Sequence, residues 1–495
     1  MPHPAPLRGG RRCAAVFALL GAAALGAPAH AAWRHLAALE RTGAAVSAAA
    51  VDLERNTAIE RLNGGEALRP ASLTKLATAA AVLDAWSPGT VLRTRLVSRA
   101  RIVGDTLEGD LVLEGAGDPS IDDDSLWGLA AQLRSAGIAR VHGRLIVDPS
   151  PFGLVACSTE DRCAALRRSD TAYNAPVAAV GVDFGTWCVN VRPTQPGARA
   201  VVGGCGVAKL PVPVEGAIRT VGARGRQSFW VERVTDGAGD RLRVGGDVPA
   251  GEPQQVYRAM SDPNRGTGLL LAETLREIGI GIDGPVVVRP QPAPAGARVL
   301  AEVEGLPLSE QVGRMLRFSN NYIADVLSLD LAAARSGPRP LRLSQAGELL
   351  AQFVTRIGRR GGAIRGADPP VLLSGSGLTP QNRLTADELV ALLAHEYRDT
   401  RHFPVFYGSL VVPRDAPFVF LRSGSAAWLD RVALKTGTMD QPVSVCGIAG
   451  YLRKRDGGWI AFAAIVNGTA RRRHIPLGQA IEAEEADVDA LLSRY

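Results

Sequence analysis

The chain has 495 residues, 46% of them hydrophobic and 21% charged, which excludes a disordered chain and implies two or three domains. Its formal charge is +7, but Arg8, Arg11 and Arg12 lie in a leader-like start with no acidic residue before Ala32. The remainder carries 7 − 3 = +4, spread without a basic block, so charge gives no case for nucleic-acid binding.

Residues 1–31 read as a signal peptide. A basic start leads into an apolar run, Ala14 to Ala27, and Ala29-His30-Ala31 forms an A-x-A cleavage pattern. The run is too short to span a bilayer comfortably, and no later stretch is long and apolar enough to do so. We expect cleavage near Ala31 and an exported chain, periplasmic or otherwise outside the cytoplasmic membrane, with no integral membrane segment.

Ala45–Glu60 reads as strand and turn. Beyond Pro70, Ser72–Leu83 is rich in Ala and Leu and lacks Gly and Pro, which predicts a buried helix. From Arg93 to about Val248 the texture is short β-like runs with Gly turns and few long helical patterns, as in Thr94–Val103, Thr106–Leu113, Arg144–Val147, Trp187–Val191 and Phe229–Val234. Helical texture returns at Gly268–Ile278 and Leu308–Leu331, and Pro290–Pro294 looks like a linker. Two strand runs, Val443–Leu452 and Trp459–Val466, form a hairpin, and a helix over Leu477–Leu492 follows. The expected architecture is α+β. One domain is assembled from 32–92 and 297–495, and a β-rich insert of two domains spans 93–296, the inner one about 174–250.

Five cysteines follow the leader: Cys157, Cys163, Cys188, Cys205 and Cys446. Of the three connectivities open to the first four, neighbouring pairs, 157–163 and 188–205, are the simplest. A zinc site is the disfavoured alternative, because no C-x-x-C or paired His spacing accompanies the cluster. Cys446 sits in an apolar run and reads as an inert buried thiol. His395 and His402 match no metal spacing, and Asp122-Asp123-Asp124 reads as a solvated acidic turn rather than a cation site. There is no G-x-G-x-x-G or P-loop. No cofactor and no metal are expected.

Only four basic residues are lysine, Lys75, Lys209, Lys435 and Lys454, among 56 Lys plus Arg. A lysine kept in such a chain marks a place where arginine will not serve, because a desolvated lysine can give up its proton. Lys75 lies in Ser72-x-x-Lys75 at the start of the predicted helix, where positions i and i+3 share a face and the amine can reach the hydroxyl. The helix N-terminus adds donors for an oxyanion. On its own the pattern is equally an N-cap serine with an exposed lysine. Ser319-Asn320-Asn321 can project a hydroxyl and an amide into one cleft, or simply cap a helix. Lys435-Thr436-Gly437-Thr438, at the end of an apolar strand, offers a charge and hydroxyls to a carboxylate, with a glycine for close backbone approach. An ordinary strand ending in a Gly turn reads the same way.

S-x-x-K, S-x-N and K-T-G in this order form the signature of penicillin-binding proteins and class A β-lactamases. The chain resembles the class C low-molecular-mass penicillin-binding proteins, the D-alanyl-D-alanine carboxypeptidase/endopeptidases, over nearly all of the sequence after the leader. Pro70–Lys75, Gly115–Pro119, Tyr173–Pro176, Gly375–Leu378 with Asn382-Arg383, and Lys435–Thr438 followed by Ala449-Gly450-Tyr451 carry the likeness. The gap of 319 − 72 = 247 positions between the first two motifs suits that family and not the short spacing of class A β-lactamases. One departure is Ser374, where the family usually has aspartate.

The resemblance implies a penicillin-binding/serine β-lactamase-like domain, an antiparallel sheet with helices, and a serine DD-peptidase acting on peptidoglycan stem peptides or cross-bridges. It also implies that β-lactams acylate the same serine. The reading that follows has Ser72 as nucleophile and Lys75 as its base. Ser319 returns a proton, Asn321 binds the substrate amide or orients Lys75, and Lys435 and Thr436 hold the terminal carboxylate. The backbone of Ser72 and Thr438 meets the oxyanion, with Gly437 between the binding residues. The rivals are a serine β-lactamase and a non-catalytic wall-binding protein of the same fold.

Overall fold

The structure is a computed structural model that describes residues 33–155, 170–206, 208–335, 339–361 and 369–495. Its central sheet draws on both ends of the chain. Strands β1 (Ala45–Asp52) and β2 (Thr57–Leu62) come early, whereas β3 (Val432–Met439), β4 (Val445–Arg453) and β5 (Trp459–Asn467) come late. The order is β2-β1-β5-β4-β3, all antiparallel, with Ala45 opposite Asn467 and Asp52 opposite Ile460.

Both faces of this sheet are covered, so its strands alternate between two cores. Ala461, Ala463 and Ile465 point into one core with helices α1 (Thr74–Ala85), α2 (Leu308–Arg317) and α3 (Asn321–Ala333). Ile460, Phe462, Ala464 and Val466 point into the other, against Leu36, Ile481, Val488 and Leu491 of the helices at 34–41 and 477–494. Such double coverage is why β4 and β5 read as near-continuous apolar runs.

Helix α1 is buried on every side from Thr74 to Leu83, as its composition predicts, and Lys75 is buried with it. A short 3-10 turn, Ala71–Leu73, precedes it and carries Ser72. The single helical stretch expected over Leu308–Leu331 is instead two helices. The side chain of Asn320 accepts the N–H of Ile323 at 3.0 Å and caps α3, and Ser319 takes a left-handed φ of 56° at the break. A capping asparagine within an apolar pattern is a start signal, and here it outranks the periodicity around it.

The intervening stretch is β-rich, but among its described residues it holds two helices, Asp123–Ser135 and Pro263–Glu277. The first falls where few helical patterns were expected. The acidic run starts it: Asp122 accepts from the N–H of Ser125 at 2.9 Å in a capping box, and Asp123 and Asp124 sit in the first turn. A five-stranded sheet runs in the order 286–288, 145–148, 111–114, 93–98, 298–304. Arg298–Glu304 had been expected beyond the insert; instead it pairs antiparallel with Arg93–Ser98, so this sheet continues past the boundary set at 296. Smaller sheets occupy residues 186–259. Among them Cys188 and Cys205 form the expected disulfide, with Cα atoms 5.6 Å apart, and Cys446 is free and buried. The proposed 157–163 pair lies outside the described residues. Among the described residues no helix is long and apolar enough to cross a membrane.

Candidate active site

The three motifs meet at one end of the central sheet. Ser72 stands on the turn before α1, Ser319 on the break between α2 and α3, and Asn321 at the first position of α3. Lys435, Thr436, Gly437 and Thr438 lie on β3, the edge strand of the sheet. Ser72, Ser319, Asn321 and Thr438 line one cleft of about 990 Å³, together with Tyr173, Asn174, Gly377, Leu378, Pro380 and His474.

Lys75 and Lys435, at 0% and 1% exposure, are the buried lysines of this site. Lys75 Nζ donates to Ser72 Oγ at 2.8 Å, to Asn321 Oδ1 at 2.7 Å and to the carbonyl of Ser376 at 2.7 Å. Three acceptors hold one amine against the serine hydroxyl. Lys435 Nζ donates to Ser319 Oγ at 2.9 Å and to the carbonyl of Thr436 at 2.7 Å. Burial pulls the Lys435 ammonium down to about 7, because taking a charge out of water favours its neutral form. Asn321 Nδ2 donates to the carbonyl of Tyr173 at 3.2 Å, which ties the site to the β-rich stretch.

Glycine at 437 makes room for the protein's own backbone. A Cβ there would sit 2.5 Å from the carbonyl oxygen of Pro70 and 3.1 Å from the Leu73 nitrogen. What needs the space is the turn that carries Ser72. Gly377, at φ 76°, is held in the same way: its Cβ would lie 1.9 Å from the Ala71 carbonyl. Ala71 itself has φ 45°. Left-handed backbone at Ala71, next to Ser72, and at Ser319 concentrates strain on two sides of the cleft, as catalytic centres often do.

Two contacts escape residue-type reasoning, because backbone carbonyls make them. The oxygens of Ser376 and Tyr173 fix Lys75 and Asn321. Both belong to stretches that the family likeness singled out. Asp325, buried on α3, accepts the N–H of Ser376 at 2.8 Å and so anchors that loop to the core. Ser374, at the position of the family's aspartate, is buried, and its hydroxyl has no hydrogen-bond partner among the described residues. Neither His395 nor His402 lines the cleft.

The model of the D-Ala-D-Ala carboxypeptidase 3 (S13) family matches residues 31–486. D-alanyl-D-alanine carboxypeptidase DacB of Haemophilus influenzae is 24% identical over 437 residues, 86% of this chain and 86% of that one. The D-alanyl-D-alanine carboxypeptidase of Actinomadura sp. is 28% identical over 441 residues, covering 86% and 78%. The crystal structure of penicillin binding protein 4 from Haemophilus influenzae shares the fold, with a TM-score of 0.70 at 22% identity over 91% of this chain and 97% of that one. A crystal structure of the same protein complexed with a β-lactam gives a TM-score of 0.67 at 21% identity, over 92% and 99%. With a family match over residues 31–486, the chain belongs to the D-Ala-D-Ala carboxypeptidase 3 (S13) family of serine peptidases.

Proposed function

We infer that Ser72 is the acylated residue of this serine DD-peptidase and that Lys75 is its base. The observation that carries the assignment is the 2.8 Å hydrogen bond from Lys75 Nζ to Ser72 Oγ, with the amine held by two further acceptors. A neutral Lys75 removes the Ser72 proton, and Ser72 Oγ bonds to the carbonyl carbon of the penultimate D-alanine. Donors on the Ser72 turn and on β3 meet the oxyanion, supplied by the backbone N–H groups of Ser72 and Thr438. The C–N bond then breaks, and the leaving D-alanine amine takes a proton from the Lys75–Ser319 side. Water adds to the ester carbonyl as Lys75 takes its proton; the Ser72 Oγ–carbon bond then breaks, Oγ takes that proton from Lys75, and the acyl chain leaves as a carboxylic acid.

Lys435 and Thr436 hold the terminal carboxylate, and Asn321 holds a substrate amide while orienting Lys75. The edge position of β3 supports this, since an unpaired strand edge can accept an extended peptide. β-Lactams acylate Ser72 by the same attack. The chain works outside the cytoplasmic membrane after loss of residues 1–31, and its substrates are peptidoglycan stem peptides, cross-bridges or both.

Incubation with a fluorescent penicillin followed by peptide mapping tests the assignment. A single adduct on the peptide containing Ser72 is expected, with loss of adduct and of D-alanine release in Ser72→Ala. An adduct on another serine rejects it. Rapid loss of the label from Ser72 would favour the β-lactamase alternative.

A further inference from the structure

A second cavity lies where the chain enters and leaves the β-rich stretch. Residues 86–92 lead out of the helical core, and residues 305–308 lead back into it. The two crossings are stitched together: Gly305 N–H donates to the Leu92 carbonyl and Leu308 N–H to the Thr90 carbonyl, both at 2.8 Å. Beyond them Arg93–Ser98 and Arg298–Glu304 pair in the five-stranded sheet. The cavity between these crossings and helices α2 and α3 holds about 180 Å³. None of the residues lining it lines the catalytic cleft.

Its walls divide by chemistry. Trp86, Leu92, Leu308 and Leu327 are apolar, and Gln311 and Asp330 are polar. Gln311 is 2% exposed. Its Nε2 donates to the Leu306 carbonyl at 2.7 Å, which fixes the way the amide points and leaves Oε1 open. Among the described residues neither Gln311 Oε1 nor Asp330 Oδ2 has a hydrogen-bond partner, and both atoms are buried. Acceptors left bare in this way cost stability. A second acid stands behind them, with Asp118 Oδ1 3.5 Å from Gln311 Nε2. The backbone makes way for both acids: a Cβ at Gly117 would collide with Asp330 Oδ1, and one at Gly305 with Asp118 Oδ2. Burial, and then repulsion from Asp118, hold the Asp330 carboxyl well above the usual carboxylate range. Among the described residues no basic side chain lines the cavity.

We propose that this cavity is a binding site for a small organic amine, whose ammonium group donates to Asp330 Oδ2 and Gln311 Oε1 while a short alkyl chain lies against Trp86, Leu92, Leu308 and Leu327. An ammonium group brings donors alone and a positive charge, which the bare acceptors and the two neighbouring acids both lack. The indole of Trp86 is a ring type that attracts cations. An anion or an amino acid would bring a carboxylate against Asp330 and Asp118. Water satisfies a pair of acceptors, but it needs two to four polar partners, and the apolar walls offer it none. Asp330 lies roughly 13 Å along α3 from Asn321, so a ligand here joins α2 and α3 to both crossings without touching Ser72.

The probe is n-butylammonium chloride, with 1-butanol and sodium butyrate as uncharged and anionic controls of the same chain length. Each is titrated into the purified enzyme by calorimetry, and melting temperatures are read alongside. Butylammonium is expected to bind saturably, one to one, and to raise the melting temperature, with both controls at least about tenfold weaker. Asp330→Asn should weaken butylammonium about 10–100-fold, the scale of a lost hydrogen bond to a charged group. That variant removes a buried acid, so it should melt no lower than the parent. Ser72→Ala should bind butylammonium as the parent does. Equal affinity for 1-butanol would mean an apolar hole with no cation site, and saturable binding of none of the three would leave room for water alone; either overturns the proposal. So does binding that persists unchanged in Asp330→Asn or disappears in Ser72→Ala, since the amine then sits elsewhere. If Asp330→Asn does not fold, the order of the three ligands on the parent protein still decides: any order without butylammonium first rejects the site.

Discussion

Three of the four lysines are buried, and their surroundings divide them. Lys454 meets Asp52 at 3.0 Å and Glu54 at 2.9 Å, so it is an ordinary buried ion pair joining the hairpin to β1. Lys435 is drawn down to about 7 by burial, so that its charge responds to a carboxylate entering the site. Lys75 is clamped on the serine by three acceptors. Arginine at 75 would keep a positive charge but could not lose it near neutral pH. Lys75→Arg is therefore expected to cut penicillin acylation by about 10²–10⁴ while the protein remains folded. Stopped-flow acylation with a melting curve decides it: a folded variant within a few-fold of the parent places the base elsewhere.

The turn before α1 is the element on which the site depends, and glycines let its neighbours close around it. In Gly437→Ala the new methyl would collide with the Pro70 carbonyl, and that rigid backbone cannot swing aside like a side-chain tip. Strand β3 must then move away from Ser72. A displacement of that kind is expected to lower acylation by about 10² while the two sheet cores persist, read as slow labelling with a modest fall in melting temperature. Near-normal labelling would mean that the strand absorbs the methyl. The sequence made this element legible because its signals are local: an Ala/Leu run after Pro70, and a serine and lysine three apart. The strands β4 and β5 were legible for the same reason. The break at Ser319 was not: a cap was one of the two readings the tripeptide allowed, but the apolar pattern across Leu308–Leu331 hid the start of α3. The helix Asp123–Ser135 was missed because its three opening aspartates looked like a solvated turn. The carbonyls of Ser376 and Tyr173 leave no mark in residue type; only the family likeness drew attention to their segments.

Across the whole molecule, acids recur whose burial outweighs the hydrogen bonds they accept. Asp183 and Glu388 are raised to about 7, and Glu396 and Glu484 to about 8, in each case mainly by desolvation. Among the described residues both carboxylate oxygens of Glu396 lack a hydrogen-bond partner. An acid whose folded pKa is raised stays protonated in the native state while the unfolded chain has already lost its proton. Its contribution to stability is complete below the ordinary carboxylate range and is lost as pH rises through 7 to 8. Lys435 acts in the opposite sense, but only above about 7. The melting temperature is therefore expected to fall from pH 5 to pH 7. Glu396→Gln should flatten part of that slope and stabilise by on the order of a few kcal/mol at pH 8, with little gain at pH 5. A melting temperature that is level or rising over this window would contradict the account.

Because β1 is hydrogen-bonded along its length to β5, the catalytic sheet cannot close until nearly all of the polypeptide has emerged. Ring closure over so long a span costs little extra entropy, which grows only with the logarithm of its length, but it comes late in time. The Ser72 turn, made early, waits without its edge strand while the β-rich stretch folds. Reactivity toward penicillin is thereby a marker of finished synthesis: a nascent or prematurely terminated chain carries the nucleophile but not the wall that arms it.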